Sequence, residues 1–455
     1  MEVLTQAIRG DGKPAEPAAE AELPFLPQPE TVEETGIDFG QLVELCVKTI
    51  YYGGRPSARA IAARMAIPFI VLEAVLAFLK REQFIEVVGS GGLSEQQYQY
   101  ALTSKGADKA AEALERSQYV GATPVPFEAY LDVIARQALE KVSVDAAVVD
   151  RALAGLVLGP RTRSLVGPAV NSGRSLLLYG DPGNGKSSIA KAIGNMLPGA
   201  ILIPYAVDIN GQTVRVFDPR VHHEIGPRVI GEENNGRQQA GTSPNGERRR
   251  DLRWAISRRP LIMAGGELTL ADLELRFSPL SKFYIAPLQM KANCGVLVID
   301  DFGRQLVLPK ELLNRWIVPM EARVDHLTLN TGETIEIPFE LLLVFSTNIP
   351  PHQLGDEAFF RRIRHKIEVG DPDEAAFLRI LQLVCAAKGI AFSVDGGRYL
   401  IERYYLPKNR NFRGVHPRDI VDLLLDIGSF QRKQPQFTPE WIDLACASYF
   451  IEDQV

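Results

Sequence analysis

The residues of this chain best suited to chemistry are the eight positions Gly180–Ser187, which read GDPGNGKS and follow the apolar run Leu176–Tyr179. They fit the pattern G-x-x-x-x-G-K-[ST] in its required setting between a strand and a helix. Glycines there let backbone N–H groups converge on phosphate oxygens, while a lysine charge reaches the β- and γ-phosphates and a hydroxyl ligates Mg²⁺. The segment predicts a nucleotide phosphate site, with Lys186 as the cation and Ser187 as a metal ligand.

A helix must position these groups. Apolar residues recur at helical spacing from Ile189 to Met196, and the positive end of that helix dipole would point at the phosphates. We expect the nucleotide to be surrounded by Gly180, Pro182, Gly183, Asn184, Gly185, Lys186, Ser187 and Ser188.

Two further apolar runs end in polar side chains. Residues 295–299 lead to Asp300 and Asp301, and residues 341–347 lead to Asn348. Carboxylates at the end of a buried strand hold Mg²⁺ and position the attacking water in P-loop enzymes. Asp300 is therefore expected to serve the metal and Asp301 the water, while Asn348 is expected to reach the γ-phosphate or orient the water.

Arginines follow at two places. Arg361 and Arg362 come thirteen residues after Asn348, and Arg418 lies at a predicted helix start in the run His416–Asp419. An exposed arginine pair is usually a solvated surface. The order of all these motifs along the chain is more informative than any one of them.

That order resembles the AAA+ ATPases over about residues 156–455. The resemblance implies ATP hydrolysis to ADP and phosphate, with Mg²⁺ as cofactor, in a homo-oligomeric ring expected to be a hexamer. In it a neighbour's arginine reaches the γ-phosphate. The implied motifs are Walker A at Gly180–Ser187, Walker B at Val296–Asp301, sensor 1 at Asn348, an arginine finger at Arg362 or Arg361, and sensor 2 at Arg418.

A predicted hairpin indicates which branch of the AAA+ ATPases the chain resembles. Residues 326–329 and 334–337 alternate in polarity around the turn 330–333, just before the strand that ends at Asn348. This resembles the pre-sensor 1 hairpin of the branch that includes MoxR-type chaperones and magnesium-chelatase subunits. The alternative is a plain surface hairpin.

An insertion is also expected. The interval from Lys186 to Asp300 is about twice the ~60 residues that two strand–helix units need. We expect the insertion at about residues 203–261, with a hairpin at Asn210-Gly211 and a loop over 234–260 that holds seven arginines. Such a loop would contact nucleic acid, an acidic partner or the acidic N-terminus, or it is simply solvated.

Length and composition limit the class of protein and the number of domains. With 455 residues, 46% hydrophobic and 23% charged, the chain is globular and long enough for about three domains. The predicted fold class is α/β, a P-loop AAA+ core with a C-terminal helical lid, preceded by a small α+β winged-helix domain. The predicted divisions are a disordered acidic, proline-rich tail (1–35), the winged-helix-like domain (36–120), a helical connector (121–155), the nucleotide-binding core (156–370) and the lid (371–455).

The winged-helix prediction rests on three helical segments, two strands around residues 89–92 and a closing helix over 104–117. Residues 36–120 carry nine basic and nine acidic side chains, and the third helical segment, 68–79, has no Arg, Lys, Asn or Gln. Because DNA affinity needs phosphate neutralisation and base reading needs polar side chains, a protein-binding or dimerising role is favoured over DNA reading.

Several other classes are disfavoured. No apolar run reaches 18 residues and no signal-peptide pattern occurs, so a cytoplasmic protein without membrane insertion is expected. The four cysteines are scattered, which fits buried thiols better than a zinc site or disulfides.

Three functions remain open. The preferred one is a chaperone-like ATPase that remodels or assembles a protein client selected by the winged helix. The alternative is a DNA-associated loader or helper, because the run Asp300–Gly303 resembles the acidic strand of helicase-loader and transposition-helper ATPases. The third is a nucleotide-gated scaffold with slow turnover, since Asp301 stands where many such ATPases carry glutamate.

Overall fold

The computed structural model describes residues 23–90, 94–225, 249–354 and 360–450. Its N-terminal part is mainly helical. The elements there are α1 (Phe39–Gly53), α2 (Ala58–Met65), α3 (Phe69–Arg81), β1 (Ile85–Ser90), β2 (Tyr98–Leu102) and α4 (Ser104–Arg116). Side chains of Asp38, Ser57 and Thr103 accept backbone N–H bonds at the starts of α1, α2 and α4, so polar caps set where these helices begin.

The larger α/β part follows. Its elements are β3 (Val125–Pro126), α5 (Phe127–Arg136), α6 (Ala146–Ala152), α7 (Pro160–Asn171), β4 (Ser175–Tyr179), α8 (Lys186–Met196), β5 (Ala200–Pro204), β6 (Ala206–Ile209), β7 (Gln212–Arg215), β8 (Trp254–Arg258), β9 (Leu261–Ala264), β10 (Arg276–Phe277), β11 (Tyr284–Ile285), α9 (Leu288–Lys291), β12 (Val296–Ile299), α10 (Pro309–Ala322), β13 (Val324–Thr328), β14 (Thr334–Pro338), β15 (Leu342–Thr347), α11 (Pro351–Leu354) and β16 (His365–Glu368).

Five of these strands form the central sheet, in the order β16–β4–β15–β12–β9. Every pairing in it is parallel. The three central strands are apolar and almost entirely buried, as expected when helices cover both faces of a parallel sheet. Because all five strands run the same way, the residues that follow them meet along one edge of the sheet.

A second group of strands consists of β3 and the strands between α8 and β12, except β9. β5 pairs with β8, and β10–β11–β7–β6–β3 form a separate mixed sheet. The predicted hairpin is present, with Asn210 and Gly211 in the left-handed region between β6 and β7. The insertion expected at about 203–261 therefore begins earlier, at β5, and its sheet also recruits strands from 276–285 and from the segment predicted as a helical connector.

The hairpin β13–β14 packs on this second group. Its inward residues, from Leu327 to Ile337, share a core with β6 and β7, and the Asn210 side-chain amide donates to the Glu333 carboxylate at the hairpin tip. One face of the hairpin is therefore buried and the other is exposed.

The predicted disordered tail is wrong for residues 23–35. Leu23 and Leu26 pack on the core of the second strand group, and the Thr35 carbonyl accepts a 2.7 Å bond from Arg253. Residues 1–22 lie outside the described part of the chain. The proline-rich composition predicted disorder, but residues 23–35 are held in place by contacts with residues more than 200 positions away.

The predicted arginine-rich loop lies partly outside the described residues. Within its described part, Arg253 and Arg259 are structural. Arg253 is buried against Asp251, and Arg259 donates to the carbonyls of Pro198 and Cys294. Two of the seven arginines are thus committed to internal bonds, which a solvated loop would not show.

The C-terminal part is helical, with α12 (Glu374–Lys388), α13 (Val394–Tyr404), α14 (His416–Gln431) and α15 (Pro439–Tyr449) around a separate apolar core. In the described ranges no single helix is long and apolar enough to cross a membrane; α2 and α3, bent by 115°, reach that length and apolarity only when taken together.

Candidate functional site

The loop Gly180–Ser187 joins β4 to α8 at the edge where the central strands end. Gly180, Gly183 and Gly185 have φ values of 141°, 84° and 84°, which L side chains rarely adopt. A Cβ at Gly180 would also lie 2.3 Å from the Val369 carbonyl oxygen. The glycines are therefore needed both for the loop's path and for its close approach to the chain after β16.

Lys186 is the first residue of α8 and is only 6% exposed. Its ammonium donates to the carbonyls of Gly180 and Asp181, both at 2.8 Å. Burial lowers the pKa of Lys186, and the carboxylates Asp301 and Asp300 oppose that shift. The lysine thus spans the loop and lies in the field of the acidic pair.

The acidic pair follows β12. The Asp300 N–H donates to the Ala264 carbonyl of β9 at 2.8 Å, which fixes the strand end. Asp301 adopts φ = 49°, and its carboxylate accepts a 3.2 Å bond from the Asn348 amide. β12 and β15 are neighbours in the sheet, so the two positions predicted for water handling meet.

Gln305 also belongs to this edge, and sequence reasoning missed it. Its amide donates to the backbone carbonyls of Asp300 at 2.9 Å and Asp301 at 3.2 Å, and its side-chain oxygen accepts from the Gly303 N–H. Gln305 therefore holds the turn that presents the two carboxylates. A lone glutamine six residues past a strand gives no sequence signal of this role.

The donor set fits a magnesium ion. The Ser187 hydroxyl in the first turn of α8 and the carboxylate of Asp300 are oxygen ligands, and Mg²⁺ is usually held by one or two such groups together with water and substrate phosphates. An all-protein metal site would need a group of three or more His, Cys, Asp or Glu side chains, and the described ranges contain no such group.

A second unpredicted feature joins the C-terminal helices to the loop. The Arg413 guanidinium pairs with Asp181 of the loop and with Asp371, which lies between β16 and α12. Asn184 donates to Asp371 at 2.7 Å and accepts from the Gly414 N–H at 3.2 Å. We call these five residues the clasp. It links the phosphate loop, the segment after β16 and the start of α14.

Arg418 does not take part in the clasp. It lies in the first turn of α14, is 64% exposed and pairs with the adjacent Asp419 at 3.3 Å. Asp419 in turn accepts a 3.0 Å bond from the Tyr449 hydroxyl. The cationic contact from the C-terminal part to the loop is thus made by Arg413, five residues before the position predicted from the motif.

Arg361 and Arg362 lie at the opposite end of the strands from the phosphate loop, where β4 begins. The Ser175 hydroxyl, at the start of β4, donates to the Arg362 carbonyl at 3.0 Å. Four residues of strand, about 13 Å, separate Ser175 from Tyr179 and the loop that follows. The Arg362 guanidinium pairs with Glu321 of α10 at 2.6 Å, and the Arg361 side chain is exposed. Both are remote from the phosphate loop of their own chain.

Comparisons with known proteins give limited matches. Residues 373–448 match a family described as a domain of unknown function, DUF8689. No curated protein matches the chain at a significant level.

Solved structures resemble it at low identity. NtrX from Brucella abortus in complex with ATP is 12% identical over 62% of this chain, with a TM-score of 0.36, and the match spans 53% of the NtrX chain, about half its length. RuvB from Thermotoga maritima, described as a Holliday junction branch migration motor, is 10% identical over 64% of this chain and 70% of its own, with a TM-score of 0.34. Such scores add nothing to what the strand order and loop geometry show directly.

Proposed function

We propose that the protein is a cytoplasmic AAA+ ATPase that hydrolyses ATP to ADP and phosphate in a homo-oligomeric ring, expected to be a hexamer, and uses the reaction to remodel or assemble a protein client. The observation that carries the proposal is the strand order β16–β4–β15–β12–β9, with the phosphate loop after β4, the carboxylates after β12 and the asparagine after β15. All three groups meet at one edge of the sheet.

The loop supplies binding. Backbone N–H groups at the start of α8 and the Lys186 ammonium would neutralise the β- and γ-phosphates, with Lys186 exchanging its two loop carbonyls for phosphate oxygens. Mg²⁺ held by Ser187 and Asp300 would neutralise further charge on those oxygens.

The acidic edge supplies catalysis. Asp301 would orient the attacking water and accept its proton, and the Asn348 amide, bonded to that carboxylate, would fix its direction. Gln305 keeps the backbone of both aspartates in place through bonds to their carbonyls. An exposed carboxylate with one oxygen engaged by Asn348 keeps the other for water.

The arginine finger is proposed to act between subunits. Arg361 and Arg362 lie at the edge of the sheet opposite the loop, so they are out of reach of their own chain's phosphates. A neighbour's loop placed against this edge would receive them. Such fingers contribute ~10³–10⁵ in rate, so an isolated subunit would be nearly inactive.

The branch and the client are inferred from the packing around the hairpin. β13–β14 shares a core with the second strand group and leads directly into β15 and Asn348, as a pre-sensor 1 hairpin of the MoxR-like branch would. The second group in turn contacts the winged-helix-like part, where the Gln41 amide donates to Asp208 at 3.3 Å. This path supports transmission of nucleotide state to a client-binding N-terminal domain.

Phosphate release by the wild-type chain tests the site. Lys186→Ala is expected to abolish turnover and weaken ATP binding, whereas Lys191→Ala, an exposed lysine on the same helix, leaves both unchanged. DNA should not stimulate turnover; strong, salt-sensitive stimulation would instead favour the DNA-loader function.

A mixing assay tests the intersubunit geometry. The Arg361→Ala/Arg362→Ala double variant keeps an intact loop, and the Lys186→Ala variant keeps intact arginines. Each alone should be inactive, and mixing them should restore turnover because active sites form between one of each. Absence of recovery, with both variants assembling normally by light scattering in ATP, would exclude a finger acting in trans.

A further inference from the structure

Residues 23–28, which we call the strap, are seated on the second strand group. The Gln28 N–H donates to the Arg249 carbonyl at 2.8 Å, and the Asp251 N–H donates to the Leu26 carbonyl at 2.9 Å. Pro27 and Arg250 face each other between these bonds in an antiparallel bridge. The strap is thus bound as one extended strand against residues 249–251.

The surface beneath it is apolar. Its floor is formed by Leu202, Tyr205, Trp254 and Ile256, and with residues 249–251 these make what we call the strap groove. Between the floor and the strap residues Pro24 and Leu26 lies a cavity of about 150 Å³. The cavity is partly open to solvent, and Pro24 and Leu26 leave this part of the groove unfilled.

The backbone pairing of the strap is short. Prolines at positions 24, 27 and 29 have no N–H group, so the strap cannot extend its pairing into a regular ladder. Phe25 is 47% exposed and adds little to the seat. Firm attachment begins further on, where Arg253, buried with Asp251, donates to the Thr35 carbonyl.

We infer that the strap groove is a recognition site for an extended, apolar, proline-containing segment of a partner protein, and that the strap occupies it in cis. The Asp251 N–H and Arg249 carbonyl would pair with the backbone of that segment, as in strand addition to a sheet edge, and the cavity would accept a larger side chain than Leu26. The strap sets the affinity, because a partner binds only the fraction of molecules in which the groove is open.

The inference goes beyond the proposed ATPase and does not depend on it. The strap itself indicates which ligand the groove accepts, because Leu23 and Leu26 are each followed by a proline in an extended segment.

Fluorescence anisotropy with a labelled peptide of residues 21–31 tests it on the full-length chain. Leu26→Asp should release the strap and bind the peptide about tenfold or more tighter than wild type. Phe25→Asp, which places the same charge on the neighbouring exposed residue, should behave as wild type. A second peptide carrying Leu26→Phe should bind the released protein tighter than the native peptide, because it fills more of the cavity.

The variant Leu252→Asp tests whether the peptide binds in the strap groove. Leu252 lines the cavity yet is 36% exposed, so its replacement should leave the fold intact and abolish peptide binding when combined with Leu26→Asp. If Leu26→Asp unfolds by circular dichroism, Leu26→Ala serves in its place. A folded, strap-released chain that binds neither peptide overturns the inference. So does a change of oligomeric mass on strap release without peptide binding, which would make the strap a contact between copies.

Discussion

The Asn348 amide donates a 3.2 Å hydrogen bond to the Asp301 carboxylate, although the two residues are 47 positions apart in sequence. Parallel pairing of β12 with β15 brings the two strand ends together, and the left-handed backbone of Asp301 turns its side chain to the same edge. One oxygen of the proposed base is thereby held by an uncharged donor, which orients the carboxylate.

Asp301→Asn should lower kcat by about 10²–10⁴, the usual contribution of a general base, while leaving the Kd for ATP within a few-fold. Asn348→Ala should lower kcat by less, because the carboxylate stays but loses its orientation. Steady-state phosphate release and fluorescent-nucleotide binding measure the two quantities. Equal loss of binding and turnover in Asp301→Asn would show that this residue holds the metal or phosphate instead.

Arg413→Ala should loosen the clasp. Removing the guanidinium leaves Asp181 and Asp371 near each other without a counter-charge, so the C-terminal helices should separate more readily from the phosphate loop. We expect faster amide hydrogen exchange in residues 371–373 and 413–415, together with weaker nucleotide binding. Arg398→Ala, an exposed arginine on α13, is the matched control and should change neither.

Arg253→Met should destabilise the contact between the strap-bearing segment and the second strand group. Arg253 and Asp251 are a buried pair with a 2.8 Å contact, and removing one partner of such a pair costs about 3–5 kcal/mol because the other charge stays buried. Thermal unfolding and proteolysis between residues 249 and 258 report the loss. Arg258→Met, at an exposed side chain at the end of β8, should leave the melting temperature close to that of wild type.

His416 should make the C-terminal helices acid-sensitive. Burial, with smaller contributions from Arg410 and Arg413, lowers the pKa of His416 to about 4. The unfolded chain then binds a proton near pH 6.5 that the folded chain does not, so stability is full above that pH and falls towards pH 4. At pH 5 the loss is at most about 2 kcal/mol.

His416→Gln keeps a hydrogen-bonding partner for the Tyr405 hydroxyl, which lies 2.9 Å from the imidazole Nδ1, but cannot be protonated. The difference in melting temperature between pH 7.5 and pH 5.0 should shrink in this variant. An unchanged difference would assign the acid sensitivity to other groups.

Much of the site could be predicted because its signals are local. A phosphate loop needs glycines at fixed positions beside a lysine, and a buried strand that ends in carboxylates is legible as a run of Val, Leu and Ile before Asp300. Gln305 and Arg413 gave no such signal, since each acts through a partner or a backbone carbonyl that only the fold brings near. The strap was misjudged for the same reason: the acidic, proline-rich composition of residues 1–35 predicts disorder, whereas the order of the strap comes from Leu202, Tyr205 and residues 249–256.

By itself, the sequence therefore determined the chemical groups, their chain order and the strand ends on which they stand, because these depend on residue type and on contacts within a few positions. Tertiary structure decided which groups meet. It joined Asp301 to Asn348 and Arg413 to Asp181, put Arg361 and Arg362 at the far edge of the sheet, and seated the strap, because such pairings depend on which strands and helices pack side by side. That packing is set by many weak contacts between distant residues, and no single motif encodes it.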